Sequence, residues 1–368
     1  MLSRCARERR VYFVEEPRWV DGPSHLDVML TTEGVTVVVP QLEQGSDRAE
    51  EVQAELLQRL IAREGLRDYV LWYYTPMALP IAAGLSPRAV VYDCMDQLAA
   101  FKDAPPELTN REMQLFQRAD VVFTGGQALF EAKKNWHHNI YAFPSSVDVP
   151  HFAKARATQT DPSDQEPIPR PRLGFFGVID ERMDLELVAG VAAARPDWNL
   201  VLLGPVVKID EQGLPRAPNI FYLGGKSYQE LPHYVSGWDV ALLPFLRNES
   251  TEFISPTKTP EYLAAGLPVV STSIRDVVRP YESLGLVRIA DSVDRFVSAC
   301  EAALAEAPGP RLAQADEFLS RLSWDSTWRS MSIHVDQIVN RRALAHPGRL
   351  VTSKADQDSE TPTIAAGE

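Results

Sequence analysis

WDVALLPFLRNESTEFISPTKTPEYLAAGLPVVST, residues 238–272, predicts a buried strand, a polar loop, a helix and a second buried strand. The first strand is expected to end near Phe245. Ser255 suits the N-cap of the helix and Pro256 its first position, while Gly266 and Pro268 mark its end. Nearly all-apolar strands separated by a helix are typical of a parallel sheet that is covered on both faces.

The same alternation extends along most of the chain in two series of apolar runs. The first series comprises residues 11–14, 35–39, 68–74, 88–93 and 119–124, and the second comprises 172–177, 199–204, 219–224, 239–245 and 268–272. A polar, proline-rich segment, 153–171, lies between the series and is predicted to be a linker. The predicted fold class is therefore α/β, with two tandem Rossmann-like, doubly wound domains.

The predicted domains are 1–152 and 172–323, followed by an amphipathic helix over 324–343 and a disordered tail over 344–368. Residues 1–10 have the pattern of the last turns of a helix that leads directly into a strand. A doubly wound domain normally begins with a strand. The sequence therefore predicts either an N-terminal domain that lacks its first strand, with Met1 not the native start, or a domain that begins with this helix.

Composition narrows the class of protein. The 368 residues are 45% apolar and 24% charged, which suffices for two cores, and the net charge of −13 argues against a nucleic-acid binder. Cys5, Cys94 and Cys300 are far apart, which favours reduced thiols in a cytoplasmic protein over disulfides or a zinc site. The sequence contains no metal-binding motif, no signal peptide pattern and no apolar run long enough to span a membrane.

The start of the predicted helix at Ser255 has the features of an anion site. Its first backbone N–H groups have no partner within the helix, and the helix dipole favours a negative charge there. Lys258 in the first turn opposes the dipole, and a bound anion would remove that conflict. Glu261 lies three residues further on the same face, where a carboxylate accepts hydrogen bonds from hydroxyl groups. The alternative is a surface ion pair between Lys258 and Glu261.

PTKTPEYLAAGLPVV, residues 256–270, resembles the donor-binding signature of GT-B glycosyltransferases of the group 1, or family four, type. FFGVIDERMDLELV, residues 175–188, is similar to the first strand, glycine turn and helix of the C-terminal domain in that family. Residues 119–152 resemble the end of its N-terminal domain. The resemblance therefore spans about Val90 to Leu304 and implies two Rossmann-like domains with a donor site in the second.

The resemblance also implies roles for individual residues. The diphosphate of a nucleotide sugar would bind at Gly177, Arg182, Ser255, Pro256, Thr257 and Lys258, and its ribose at Glu261. The base would lie against Gly225, Lys226 and Tyr228, for which a surface loop is the alternative. Two positions depart from the family pattern, because Phe253 replaces the first of two glutamates and Val178 replaces an arginine.

The acceptor is expected in the N-terminal domain, at the carboxyl ends of its strands. Asp93 ends one predicted strand and Asp96 follows it, so either carboxylate is a candidate general base, although both residues also suit helix caps. The helical segment 131–139 is a surface helix or a peripheral contact with a membrane. No nucleic acid partner is expected.

The predicted function is metal-independent transfer of a sugar, of the hexosyltransferase type, from a nucleotide-diphosphate sugar to a glycan or lipid-linked acceptor. The expected setting is polysaccharide or cell-envelope synthesis, in the cytoplasm or at the inner face of the membrane. The alternatives are a nucleotide-sugar epimerase of the same fold and a catalytically silent nucleotide-sugar-binding protein.

Overall fold

The computed structural model describes residues 1–157, 160–345 and 363–366. The N-terminal domain contains four helices: α1 (Leu2–Cys5), α2 (Ala49–Arg63), α3 (Leu108–Arg118) and α4 (Gln127–Lys133). Its strands are β1 (Val11–Val14), β2 (Arg18–Val20), β3 (His25–Leu30), β4 (Val35–Glu43), β5 (Val70–Tyr73), β6 (Ala89–Cys94), β7 (Val121–Thr124) and β8 (Ile140–Ala142), joined by β15 (Thr363–Ala366) from the end of the chain.

These nine strands form one sheet in the order β2–β4–β1–β15–β5–β6–β7–β8, with β3 paired to β4. All pairs are parallel except β3 with β4. The prediction of a disordered tail over 344–368 was wrong for Thr363–Ala366, because this short apolar run pairs with both β1 and β5. The rest of that tail beyond Ala345, residues 346–362 and 367–368, lies outside the described residues.

The C-terminal domain contains a second parallel sheet. Its strands are β9 (Arg172–Phe176), β10 (Asn199–Leu203), β11 (Ile220–Tyr222), β12 (Val240–Leu243), β13 (Val269–Ser271) and β14 (Val287–Ile289), in the order β11–β10–β9–β12–β13–β14. This is the dinucleotide-fold order 3-2-1-4-5-6. In such sheets ligands bind beyond the carboxyl ends of the strands where the order reverses. Here that point lies between β9 and β12.

The remaining helices are α5 (Val149–Phe152), α6 (Leu185–Ala194), α7 (Leu231–Val235), α8 (Lys258–Ala265), α9 (Arg275–Val277), α10 (Val293–Leu304), α11 (Pro308–Leu319) and α12 (Trp324–Ala345). α12 returns to the N-terminal domain, where Trp328, Met331 and Val335 join the core beneath its sheet. Among the described helices, none is both long and apolar enough to cross a membrane.

The segment predicted as a linker, 153–171, packs against the C-terminal domain. Gln165 is fully buried; its amide donates to the Tyr234 carbonyl at 2.9 Å and accepts from the Trp238 indole at 2.9 Å. Ile168 belongs to the core of that domain. Part of the predicted linker is therefore packed into the domain that follows, through the apolar side chain of Ile168 and the amide of Gln165.

The domains are in contact where α4 meets α9, and also at Phe253. The carboxylate of Asp276, in α9, accepts hydrogen bonds from the backbone N–H groups of Gln127 and Ala128, both at 2.8 Å. These N–H groups open α4 and have no acceptor within that helix. Phe253, at a position where the resemblance implies a glutamate, packs against the core of the N-terminal domain. Phe253 therefore contributes to the packing between the two domains.

Candidate active site

Gly177 and Lys258 meet at the carboxyl end of β9. Gly177 directly follows β9 and has a φ of +139°, a conformation that side chains other than glycine rarely adopt. The Lys258 side chain passes so close that a Cβ on Gly177 would lie 2.1 Å from Lys258 Cε and 2.7 Å from its Nζ. The absence of a side chain at Gly177 therefore lets the Lys258 ammonium reach the switch point of the sheet.

Helix α8 presents its amino end at the same place. The hydroxyl of Tyr262 accepts from the Phe176 backbone N–H at 2.9 Å, which fixes the helix against the last residue of β9. Gly266 ends the helix in the left-handed conformation, at φ +86°, as the sequence predicts. The first-turn N–H groups of α8 and the Lys258 ammonium thus form one positive region beyond β9 and β12.

The start of α8 is two residues later than predicted. Lys258 is the first helical residue and Thr257 the N-cap, without a side-chain cap, whereas Ser255 and Pro256 precede the helix. The Ser255 hydroxyl is bound instead to the Asp276 carboxylate. Its assignment as the cap was wrong because Asp276 uses that hydroxyl at the domain contact. Pro256 and Thr257 flank the helix start.

Lys258 and Glu261 lie together in a poorly solvated environment. Burial lowers the pKa of Lys258, and the charge of Glu261 opposes that change. Burial raises the pKa of Glu261 from 4.5 to about 7, against the opposing charge of Lys258. The side chains of a surface ion pair are solvated and would not show such an effect of burial. The alternative interpretation, a surface ion pair between Lys258 and Glu261, therefore does not describe these residues. The ammonium and the carboxyl are held where a charged, hydroxyl-bearing ligand would satisfy both.

Arg182 lies beside this region but already has a partner. Its Nε lies 3.1 Å and 3.0 Å from the two carboxylate oxygens of Asp180, and its Nη2 donates to Asp180 Oδ2 at 2.6 Å. Burial works to lower the pKa of Arg182, but the hydrogen bonds and charge of Asp180 raise it, and Asp96 adds to the rise. The guanidinium is therefore fixed in direction by Asp180 at the edge of the site.

The loop after β11 contains the three candidates for contact with the base. Lys226 donates to Asp164 at 2.7 Å, so the ammonium is directed towards the segment before β9 rather than towards α8. The Tyr228 ring stacks on His151 at 4.1 Å, and its carbonyl lies 2.8 Å from His151 Nε2. Burial raises the pKa of Tyr228 to about 12, with contributions from the charges of Asp148 and Glu261. Only Tyr228 thus approaches Glu261.

Gly225 is exposed and carries no steric requirement. A Cβ built on it would meet only Pro205 Cδ, at 3.9 Å, which is ordinary van der Waals contact. The neighbouring Gly204 is different, since a Cβ there would lie 1.8 Å from the Gly177 carbonyl oxygen. Gly204, at the end of β10, is the glycine that lets the turn after β9 adopt its path. Three predicted strands, 172–177, 199–204 and 219–224, end in glycine, so the sequence contains a signal for this turn.

The N-terminal domain contributes a cavity of about 540 Å³ near the ends of β1, β5 and β6. Its lining is mainly apolar and aromatic, with Asp96 as its carboxylate: Met1, Leu2, Ser3, Phe13, Tyr74, Met95, Asp96 and Leu98. The charge of Asp96 acts on both Lys258 and Arg182 across the domain boundary. Asp96 therefore connects this cavity with the positive region of the C-terminal domain.

Asp93 is the candidate that the structure does not bring to the cavity. Its carboxylate is 2% exposed and accepts a hydrogen bond from the Trp72 indole at 3.1 Å. Burial raises the pKa of Asp93 to about 7, and the Trp72 hydrogen bond opposes the rise. Consecutive side chains of a strand alternate between faces, and Asp93 shares the buried face with Val91 and Trp72 rather than reaching the strand end.

Four residues at the candidate site or its borders were not indicated by the sequence: Asp180, Tyr262, Asp276 and Phe101, whose ring lies 5.3 Å from the guanidinium carbon of Arg182. Asp180 and Tyr262 lie inside the motifs that carry the resemblance, where their partners could not be assigned without coordinates. Asp276 and Phe101 act across the domain boundary, on residues about 150 and 80 positions away. No local pattern in the sequence reports such a contact.

Comparison with known proteins identifies relatives in sequence and in fold. Residues 170–306 match the family model described as Glycosyl transferases group 1. A protein of Bacillus subtilis (strain 168), named as teichuronic acid biosynthesis glycosyltransferase TuaH, is 27% identical over 254 residues. That alignment spans 64% of this chain and 64% of the relative's length.

Solved structures extend the likeness to both domains. Sucrose-phosphate synthase from Thermosynechococcus elongatus superposes with a TM-score of 0.65 at 14% identity, over 90% of this chain and all of that one. HepE of Anabaena, solved with UDP-glucose, gives a TM-score of 0.62 at 14% identity, over 88% of this chain and 99% of its own. The GT-B fold implied by the resemblance is thereby confirmed, and residues 170–306 match the model of glycosyl transferases group 1.

Proposed function

We propose that the chain transfers a sugar, without a metal ion, from a nucleotide-diphosphate sugar to a glycan or lipid-linked acceptor in polysaccharide or cell-envelope synthesis. The observation that carries the proposal is the approach of Lys258 over Gly177 at the amino end of α8. TuaH is named for teichuronic acid biosynthesis, and HepE was solved with UDP-glucose. A UDP-sugar is therefore the first donor to test.

In the proposed complex the diphosphate lies against the first N–H groups of α8 and the Lys258 ammonium. Glu261, three residues along the helix, accepts hydrogen bonds from the ribose hydroxyls. As the bond between the sugar and the diphosphate breaks, negative charge grows on the leaving group. Pre-oriented donors in a poorly solvated site stabilise such charge and are each worth about 10²–10³-fold in rate. Lys258 and the helix N–H groups fill that role, which elsewhere falls to a divalent metal.

Asp96 is the proposed general base. It takes the proton of the acceptor hydroxyl, whose oxygen then bonds to the anomeric carbon while the electron pair of the broken bond leaves with the nucleoside diphosphate. The position of Asp96 in the lining of the 540 Å³ cavity supports this role, since an acceptor bound there would lie between Asp96 and the donor site. Arg182, held by Asp180, adds positive charge at the diphosphate end.

Three buried cysteines that are not joined in disulfides fit a reducing compartment, so we place the activity in the cytoplasm or at the inner face of a membrane. A panel of nucleotide sugars, with binding and nucleotide release measured together, tests the function. Release of a nucleoside diphosphate, faster when acceptor is present, is expected. Isomerised sugar without release would indicate an epimerase, and binding without turnover would indicate a silent binding protein; either result would overturn the proposal.

A further inference from the structure

The segment that joins β6 to α3 runs from the acceptor cavity to the donor site. We call residues 95–104 the strap. At its start, Met95, Asp96 and Leu98 line the 540 Å³ cavity of the N-terminal domain. Five residues after Asp96, the strap reaches the C-terminal domain. One continuous stretch of ten residues therefore contacts both candidate substrate sites.

The contact with the C-terminal domain is made by an aromatic ring. The Phe101 ring lies 5.3 Å from the guanidinium carbon of Arg182, and Lys208 Nζ lies 5.8 Å from the same ring. Both distances are within the range of a cation–π interaction. Asp180 holds the Arg182 guanidinium through its hydrogen bonds, so the ring and the carboxylate together fix the direction of this cation.

The backbones on the two sides of the contact are also joined. Lys102 Nζ donates to the Lys208 carbonyl at 3.0 Å, and Lys208 Nζ donates to the Lys102 carbonyl at 3.4 Å. Asp103 and Lys208 both have a φ of +62°, in the left-handed region that residues other than glycine seldom adopt. Such conformations persist where the surroundings over-determine them, and they concentrate at ligand clamps and switch regions.

We propose that Phe101 is a positioning residue that holds Arg182 for the donor diphosphate, and that the strap communicates acceptor-cavity occupancy to the donor site. The inference rests on the proposed function, because it assigns Arg182 a donor ligand. When an acceptor contacts Asp96 and Leu98, the same strap keeps Phe101 on Arg182 and closes the site over the donor. Water is excluded, and transfer is favoured over hydrolysis of the donor.

Phe101→Leu removes the ring and keeps an apolar side chain, whereas Phe101→Tyr keeps the ring. We expect Phe101→Leu to weaken donor binding by about two- to fivefold, the factor that an exposed cation–π pair carries. The fraction of donor lost to hydrolysis in the presence of acceptor should rise as well, and Phe101→Tyr should restore both quantities. A merely structural role would not change the ratio of hydrolysis to transfer.

Arg195→Leu is the matched control. Arg195 lies 4.0 Å from the Trp198 ring, at the amino end of β10 and therefore at the opposite edge of the sheet from the cleft. This variant loses a cation–π pair, together with the ion pairs of Arg195 with Asp197 and Glu301, and should leave donor binding and the ratio of hydrolysis to transfer unchanged. A wild-type ratio of hydrolysis to transfer in Phe101→Leu would overturn the inference. Equal effects of Phe101→Leu and Arg195→Leu on donor binding and on that ratio would also overturn it.

Amide hydrogen exchange of the ligand-free protein separates this inference from the proposed function. Phe101→Leu should speed exchange in residues 95–104 and 178–184, while α6 and α10 keep wild-type rates. If wild-type protein turns over no nucleotide sugar, the proposed function fails, but this exchange result still decides whether Phe101 holds Arg182. Turnover of a donor by wild type, with no change in exchange or ratio in Phe101→Leu, overturns the Phe101 inference alone.

Discussion

Substitution of Gly177 by alanine should disable the donor site through Lys258. The new Cβ would lie 2.1 Å from Lys258 Cε, whereas carbon atoms in contact need about 3.5 Å, so the side chain must move by more than about 1 Å. The clash is with the far part of a flexible side chain, which can swing away. The main loss is therefore expected in ligand binding, with a cost in folding stability of about 1–3 kcal/mol for the φ of +139°.

The size of the binding loss follows from the contact that is removed. A hydrogen bond to a charged group contributes about 1.5–3 kcal/mol, which corresponds to about 10- to 150-fold in affinity. We expect Gly177→Ala and Lys258→Ala each to weaken binding of the nucleoside diphosphate by a factor in this range. Isothermal titration calorimetry with UDP measures the dissociation constants, and urea unfolding measures the stability of each variant.

The double variant, Gly177→Ala with Lys258→Ala, tests whether the two substitutions act through the same side chain. Because Gly177→Ala is expected to act by displacing Lys258, its effect should largely disappear in a Lys258→Ala background. The two effects should therefore be far from additive. Full additivity of the two losses would refute the reasoning, and so would wild-type affinity in Gly177→Ala. Gly309→Ala serves as the control, since a Cβ at that glycine of α11 meets no atom within 4 Å.

Three further predictions concern carboxyl groups. Burial raises the pKa of Glu261 from 4.5 to about 7. The contribution of this shift to the free energy of unfolding is complete below pH 4.5 and is lost as the pH rises through 7. Urea unfolding should show that Glu261→Gln lacks this pH dependence. Asp96→Asn should lower kcat by about 10²–10⁴-fold, and Asp93→Asn by far less, in a transfer assay. Asp276→Ala should lower the free energy of unfolding by about 1–2 kcal/mol, because two N–H groups of α4 lose their acceptor.

Each of these predictions has a result that would contradict it. Parallel pH–stability curves for wild type and Glu261→Gln would show that Glu261 titrates normally. Equal losses in Asp96→Asn and Asp93→Asn would remove the distinction between the cavity carboxylate and the buried one. An unchanged urea midpoint in Asp276→Ala would mean that Asp276 does not cap α4 in solution.

The architecture could be predicted because its signals are local. Each apolar run that was assigned to a strand overlaps a strand of the structure, and Gly266 ends α8 as expected. β2 and β3 carry exposed residues and no clear alternation, so their pattern is that of a loop. β14 is only three residues long, so its pattern is short. β15 pairs with β1 and β5, which are distant in sequence, so its place in the sheet does not follow from local signals.

The candidate site was predictable only in part, for physical reasons. Gly177, Lys258 and Glu261 belong to motifs whose spacing fixes their neighbourhood, and the structure brings them together. Asp93 and Asp96 were equivalent in the sequence, because the side of the strand on which each carboxylate lies depends on where β6 ends. The partners of Ser255 and Lys226, which are Asp276 and Asp164, follow from the packing of separate segments.

The central claim is that Lys258 at the amino end of α8 stabilises the diphosphate of a nucleotide sugar. The most direct measurement is the rate of nucleotide release from the best donor of the panel, compared between wild type and Lys258→Ala at equal folded concentration. We expect a loss of at least about tenfold in Lys258→Ala, with wild-type rates in Arg195→Leu. Unchanged turnover in a folded Lys258→Ala protein would contradict the account.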